Sequence, residues 1–212
     1  LEGTAYRMGE PPPPPKPPPI RTGKPRIHFV AEGRAGLARI APLVREVRRA
    51  GTLEPVVVHT GRRDDLLLTD AQLKELALEG PDVDLDVAPA ETIVLTARIM
   101  ERYHALLEAG RPAAVVVGDA EPSLACALVA KELGIAVAQV APDGAPAAPG
   151  PLRRTLKGSL ADVTLLAGDL GRRPAAHAAQ LLFAEGPARA REAPLEDLVP
   201  ALEALLGDGP RP

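Results

Sequence analysis

The stretch RIHFVAEGRAGLARIAPLVREVRRAGTLEPVVVHTG, residues 26–61, holds the first full period of a repeating pattern. Its two ends, RIHFVA and EPVVVH, are short and rich in β-branched or aromatic residues, as strands are. Between them GLARIAPLVREVRRAG gathers Leu, Ile and Val on one helical stripe and arginines on the other. A strand, a helix and a strand in that order are too far apart in sequence for a hairpin, so the two strands are expected to be parallel with the helix as their crossover.

The alternation runs on through the chain. DLLLTDAQLKELALEG (65–80), TIVLTARIMERYHALLEAG (92–110), PSLACALVAKELG (122–134) and PLRRTLKGSLA (151–161) have helical length. Between them VDLDVA (83–88), AAVVVGD (113–119), IAVAQVA (135–141) and DVTLLAG (162–168) read as strands. The valines at 115–117 are apolar toward both faces, which a strand needs when helices cover both sides of its sheet. With right-handed crossovers, residues 26–168 are predicted to form an α/β domain, a single Rossmann-like doubly wound parallel sheet.

The two ends of the sequence differ from this middle. Residues 1–25 contain PPPPPKPPP (Pro11–Pro19), which favours polyproline II and lacks the N–H groups of a helix or sheet. A proline-rich arm or linker is expected there, with a docking ligand for an aromatic-lined groove as the alternative. A start at Leu1 rather than Met admits a fragment of a longer protein. Past Gly168, RPAAHAAQLLFAEG (173–186) and PLEDLVPALEALLGDG (194–209) are predicted to be two C-terminal helices. The second sets Leu195, Leu198, Val199, Leu202 and Leu205 on one stripe, so 169–212 is expected as a helical segment.

Composition narrows the function classes. At 212 residues, of which 46% are hydrophobic and 25% charged, the chain has enough material for one main core, and wholesale disorder is not expected. A net charge of −3, the absence of Trp and only two Phe and two Tyr argue against nucleic acid, which asks for a basic face and aromatic platforms. No apolar run reaches the ~18 residues of a membrane span, and the N-terminus has no secretory pattern. The single Cys126, in SLACALVA, is expected as a buried, inert thiol in a reducing cytoplasm. His28, His59, His104 and His177 are too scattered for a metal site and are expected at the surface or at strand edges; neither metal nor cofactor is expected.

Ligands of a doubly wound sheet sit outside the carboxyl ends of its strands, so the residues just after each strand matter most. The first strand leads into Ala31-Glu32-Gly33-Arg34-Ala35-Gly36, a turn that offers backbone N–H groups and Arg34 to a phosphate, although Arg34 as a solvated cation fits equally. The second leads into His59-Thr60-Gly61-Arg62-Arg63, where the arginines are either ligand contacts or solvated. The fourth leads into Gly118-Asp119-Ala120-Glu121. Asp119 is the best-placed carboxylate, able to hold a sugar hydroxyl or act as a base; the alternative is the N-cap of a helix starting near Pro122.

Taken together, ARIAPLVREVRRAG, EPVVVHTGRRDDLL, PDVDLDVA, the run from LTARIMERYHALLEAG through AAVVVGDAEPSLACALVAKELGIAVAQV, and LRRTLKGSLAD resemble the N-terminal domain of the UDP-N-acetylglucosamine 2-epimerase family over about Arg26 to Gly168. The resemblance implies one half of a two-lobed epimerase and a UDP-sugar ligand. It implies a catalytic role for Asp119, in the position of the family's Gly-Asp-Thr, and ligand contacts by Gly33, Arg34, Gly118 and Arg154.

Departures from the family are as informative. Its Gly-Thr-Arg-Pro-Glu turn becomes Glu32, Gly33, Arg34, Ala35 and Gly36, which keeps the arginine and loses the final acid. Its Thr-Gly-Gln-His becomes Thr60, Gly61, Arg62 and Arg63. After the fifth strand, Glu-Ala-Gly-Leu-Arg becomes Ala141, Pro142, Asp143, Gly144 and Ala145. Pro-Glu-Glu-x-Asn-Arg becomes Pro149, Gly150, Pro151, Leu152, Arg153 and Arg154. Family chemistry abstracts a proton and eliminates UDP, steps that need placed acids and bases worth roughly 10²–10⁴-fold each. The sequence therefore predicts a catalytically degenerate relative that associates with a partner or itself, or binds a sugar nucleotide. The alternative is an active epimerase completed by another chain, and no second α/β domain is expected in this sequence. The resemblance also implies self-association through helices at 37–50 and 91–109.

Overall fold

In the computed structural model, residues 15, 16, 18, 19, 23–62, 69–118, 120–142, 163–167, 180–184, 190–194 and 197–207 are described. The first period appears as predicted. Strands β1 (Arg26–Ala31) and β2 (Glu54–His59) pair in parallel, from Arg26 opposite Glu54 to Ala31 opposite His59. Helix α1 (Gly33–Ala50) crosses between them and buries Leu37, Ile40, Ala41, Val44 and Val47, the spacing that lines one helical face. It ends at Gly51, whose φ of 71° lets its N–H turn back to Val47 O, and Arg48 and Arg49 sit beside the negative end of the helix.

The rest of the parallel sheet follows. Helix α2 (Asp70–Leu76) starts in a capping box: Gln72 N–H donates to Thr69 Oγ1 at 3.3 Å, and Thr69 N–H donates to Gln72 Oε1 at 3.1 Å. Strand β3 (Val83–Asp84) pairs with β2, and realises only two residues of the predicted VDLDVA strand. Helix α3 (Thr92–Ala109), β4 (Ala114–Val117), α4 (Glu121–Glu132), β5 (Ala136–Pro142) and β6 (Val163–Ala167) complete the alternation. The chain then adds β7 (Gln180–Ala184), β8 (Ala190–Pro194) and α5 (Leu198–Gly207), giving one sheet in the order β3-β2-β1-β4-β5-β6-β7-β8.

Two apolar layers sandwich this sheet. On one side Phe29, Val57 and Val116 meet α1, and α5 adds Leu198, Val199 and Leu202, all at most 4% exposed. On the other, Val30, Val58, Val115 and Val117 meet Ile99, Tyr103, Leu106 and Leu107 of α3 and Ala125, Cys126 and Val129 of α4. Covering both faces is what the all-apolar strands required.

The C-terminal region corrects the sequence reading. Residues 180–184, expected within a helix, form β7, antiparallel to β6 with Leu165 opposite Phe183, and β8 pairs antiparallel with β7. The apolar run QLLFA is too short for its periodicity to separate strand from buried helix, and the open edge of β6 supplies ladder partners that settle it. The second predicted helix is present as α5, with Leu198, Val199 and Leu202 buried as its stripe requires. The predicted helix at 151–161 and most of the proline-rich arm lie outside the described residues.

Candidate functional site

Strand order reverses direction where β1 meets β4, so the crevice between their carboxyl ends is the fold's natural ligand position. From β1 the chain passes Glu32 and turns at Gly33, whose φ of +57° lies where side-chain-bearing residues are strained. Arg34 follows on the first turn of α1 and is exposed. Gly118, buried, directly follows β4 on the opposite lip of the crevice.

Across this gap runs a contact that the sequence reading missed. Ser123 Oγ, on a side chain with no solvent exposure, donates to Glu32 Oε2 at 2.6 Å, joining the start of α1 to the first turn of α4. A Cβ built on Gly118 would lie 3.3 Å from Glu32 Oε1, 3.4 Å from Ser123 Oγ and 3.6 Å from Arg39 Nη1, so these groups converge on the tip of β4. The only signal for it in the sequence is an acid standing directly after the first strand, where the family motif has glycine.

A second polar group flanks the crevice at the ends of β2 and β3. His59 Nδ1 lies 3.1 Å from Asp84 Oδ1, with the imidazole 2% exposed, and Val57 N–H donates to Asp82 Oδ2 at 2.8 Å. These bonds fasten the two-residue strand β3 to β2. Arg62 is paired with Asp86 at 3.7 Å rather than simply solvated.

The histidines correct another expectation. His28 is 1% and His59 2% exposed, both within strands instead of at the surface, while His104 is exposed. Cys126 is a buried free thiol, as expected. Burial first, and then the charge of Glu32, push its pKa well above the ordinary thiol value, which leaves it a poor nucleophile. Among the described residues no three His, Cys, Asp or Glu side chains gather as a metal site would need.

Of the residues picked out from sequence, Gly33, Arg34 and Gly118 are brought to the β1/β4 crevice. Asp119 and Arg154 lie outside the described residues, as do Arg63 and Asp143. The cap position of α4 falls on Ala120, which makes no side-chain cap bond; Glu121 in the first turn and Pro122 favour the helix start instead.

The model of the family described as UDP-N-acetylglucosamine 2-epimerase matches residues 45–167, more than half of the chain. The chain belongs to the UDP-N-acetylglucosamine 2-epimerase family. The match takes in Gly118, Asp119 and Arg154, whereas the turn carrying Glu32, Gly33 and Arg34 precedes it. A curated relative, the UDP-2,3-diacetamido-2,3-dideoxy-D-glucuronate 2-epimerase of Pseudomonas aeruginosa PAO1, is 29% identical over 90 residues, which are 42% of this chain and 25% of that protein.

Solved structures agree on the fold. A UDP-N-acetylglucosamine 2-epimerase crystal structure superposes with a TM-score of 0.58 at 26% identity, covering 68% of this chain and 42% of that one. The Neisseria meningitidis enzyme, solved bound to UDP-GlcNAc, gives 0.57 at 23% identity, covering 65% of this chain and 39% of that one. This epimerase-family chain therefore spans less than half the length of these relatives. Its Rossmann-like sheet is that of one lobe of their architecture, and none of its described helices is long and apolar enough to cross a membrane.

Proposed function

We propose that this epimerase-family domain binds a UDP-sugar in the β1/β4 crevice and does not epimerise it on its own. The observation that carries the reading is a kept scaffold with altered strand tips. The sheet and switch-point crevice are those of the family, while Ala141 and Pro142 stand at the end of β5 where the family pattern begins with glutamate. In this reading Asp119, next to Gly118, and Arg34 and Arg154 contact the ligand, and the acids missing at 141–145 and 149–154 remove the proton handling that each contributes about 10²–10⁴-fold. The setting is a reducing cytoplasm, where the buried Cys126 stays a thiol.

The test is calorimetric titration with UDP-N-acetylglucosamine, alongside an assay for its manno epimer. Binding heat without turnover is the expected result. Turnover by the purified chain that vanishes in Asp119→Asn overturns the proposal, and absence of any binding overturns its ligand.

A second reading is favoured by the 42% coverage of a solved epimerase: an active isomerase whose other lobe comes from another polypeptide. Epimerisation that appears only on adding a chain resembling the C-terminal lobe, and that Asp119→Asn abolishes, selects it. Self-association belongs to both readings, because the first turns of α3 expose Ile93 (83%) and Val94 (42%) and α4 exposes Leu128 (40%).

A further inference from the structure

We propose that Gln139 is a specificity-determining residue for the sugar of the ligand: its side-chain amide is the neutral donor and acceptor that β5 offers at the strand tips, and it pairs with a hydroxyl or acetamido group of the pyranose. The inference rests on the UDP-sugar reading above and assigns a residue to the sugar end of that ligand.

The placement starts from the strand itself. β5 reads AVAQVAP, so Gln139 is its one polar side chain. Ala138 and Val140 on either side of it belong to the apolar layer of α1, whereas Val137 belongs to the layer of α3 and α4. The period of two along a strand puts Gln139 with Val137, on the face that α4 covers. In the ladder it stands opposite Val117, the last residue of β4, and opposite Thr164 of β6. It therefore lies level with the end of β4, one residue short of Gly118 at the lip of the crevice.

An amide is out of keeping with that layer, which β4, β5 and α4 build from Val, Ala and Cys. Gln139 is 7% exposed, and among the described residues its amide has no hydrogen-bond partner. Arg26 Nη2 is the only described polar side-chain atom that is both fully enclosed and unpaired, so the exposure Gln139 keeps falls at its amide end. Its stem is in the core and its polar tip meets solvent, which reaches a strand covered on both faces only from the ends of the sheet. An apolar side chain of the same shape would bury its surface there without leaving a donor and an acceptor unpaired. A ligand group that completes both bonds accounts for the amide.

The chemistry of that group follows from the amide. Oε1 accepts and Nε2 donates, so the matching partner both donates and accepts. A sugar hydroxyl does so, and an acetamido group does so with its own N–H and C=O. An ionised phosphate only accepts, and leaves Oε1 unpaired. The amide is also neutral and takes no proton from carbon, which agrees with a domain that holds a sugar without epimerising it.

The experiment titrates the full chain, as wild type, Gln139→Met and Gln139→Leu, with UDP-N-acetylglucosamine, with UDP-glucose, which carries a hydroxyl in place of the acetamido group, and with UDP. Urea melts of the three proteins are run alongside. Both variants are expected to bind UDP-N-acetylglucosamine about tenfold more weakly than wild type and UDP within about twofold of it. Their urea midpoints are expected at or above that of wild type, because an unpaired amide has been replaced by an apolar group. A loss confined to UDP-N-acetylglucosamine identifies the acetamido group as the partner, and a loss shared with UDP-glucose identifies a hydroxyl. Unchanged affinity for UDP-N-acetylglucosamine, an equal loss for UDP, or midpoints well below wild type in both variants, as a structural amide would give, overturns the assignment. A wild type that binds none of the three ligands overturns the proposed function and this inference with it, whereas wild-type binding that the variants retain counts against Gln139 alone.

Discussion

His28 sits in β1 with its Nδ1 3.3 Å from Tyr103 Oη, and both side chains are at most 1% exposed. Burial, reinforced by the charge of Arg26, lowers its pKa from 6.5 to about 3, so the ring is neutral in the folded protein. The sign of the pH effect follows. Below pH 6.5 the unfolded chain takes up a proton that the folded one refuses until about pH 3, so stability falls across that window, by about 1.4 kcal/mol per pH unit at most. Urea midpoints of the wild type are expected to drop through this range, and those of His28→Gln to drop less steeply; equal slopes would show that other groups carry the acid limb. The sequence reading placed His28 and His59 at surfaces or edges because it weighed each residue alone. In a sheet covered on both faces no central strand position points to water, and that follows from packing. Glu32 was legible as an acid after a strand, but the direction of its side chain depends on Ser123, 91 residues away.

Helix α1 shows both what local pattern specifies and where it is overridden. Its stripe, its Gly51 stop and its closing arginines were all readable, and the helix forms in spite of Pro42 in its interior, which lacks the N–H of a regular turn. An interior proline costs a helix about 3 kcal/mol relative to alanine, partly offset by ~0.4–1 kcal/mol through the stiffer unfolded chain. Pro42→Ala is therefore expected to raise stability by roughly 2–2.6 kcal/mol, measured as a higher urea midpoint at unchanged slope. A lower midpoint would mean that the layer beneath α1 is shaped around the proline. The opposite case is β7. Its five residues carry no period long enough to mark them as strand, and the free edge of β6 chose for them.

At the level of the whole molecule, α5 returns from the far end of the chain to the α1 side of the sheet, where Leu198, Val199 and Leu202 join the layer of Leu37, Leu43 and Val47. Among the described residues that side leaves no large apolar side chain exposed. On the other side only Ile99, Tyr103, Leu106 and Leu107 of α3 are buried, and the start of the helix leaves Ile93 and Val94 in water. The resemblance implied self-association through both helices; of the two, α3 is the one that leaves large apolar side chains in water. Size-exclusion chromatography with light scattering is expected to show an oligomer that Ile93→Asp converts to monomer at micromolar concentration. A monomeric wild type, or an oligomer indifferent to Ile93→Asp, removes α3 from the interface.

Local pattern was enough for the α/β class, the parallel sheet from β1 to β6, the burial of Cys126 and kinship with the 2-epimerases, because periodicity, crossover length and strand-tip motifs are short-range properties of the chain. Long-range packing settled the antiparallel β7 and β8, the burial of His28 and His59, and the bond from Ser123 to Glu32 across the switch point. Each of these depends on what lies opposite in space: a free sheet edge, a second covering layer, or a hydroxyl on another helix. Distance along the chain carries no record of such neighbours.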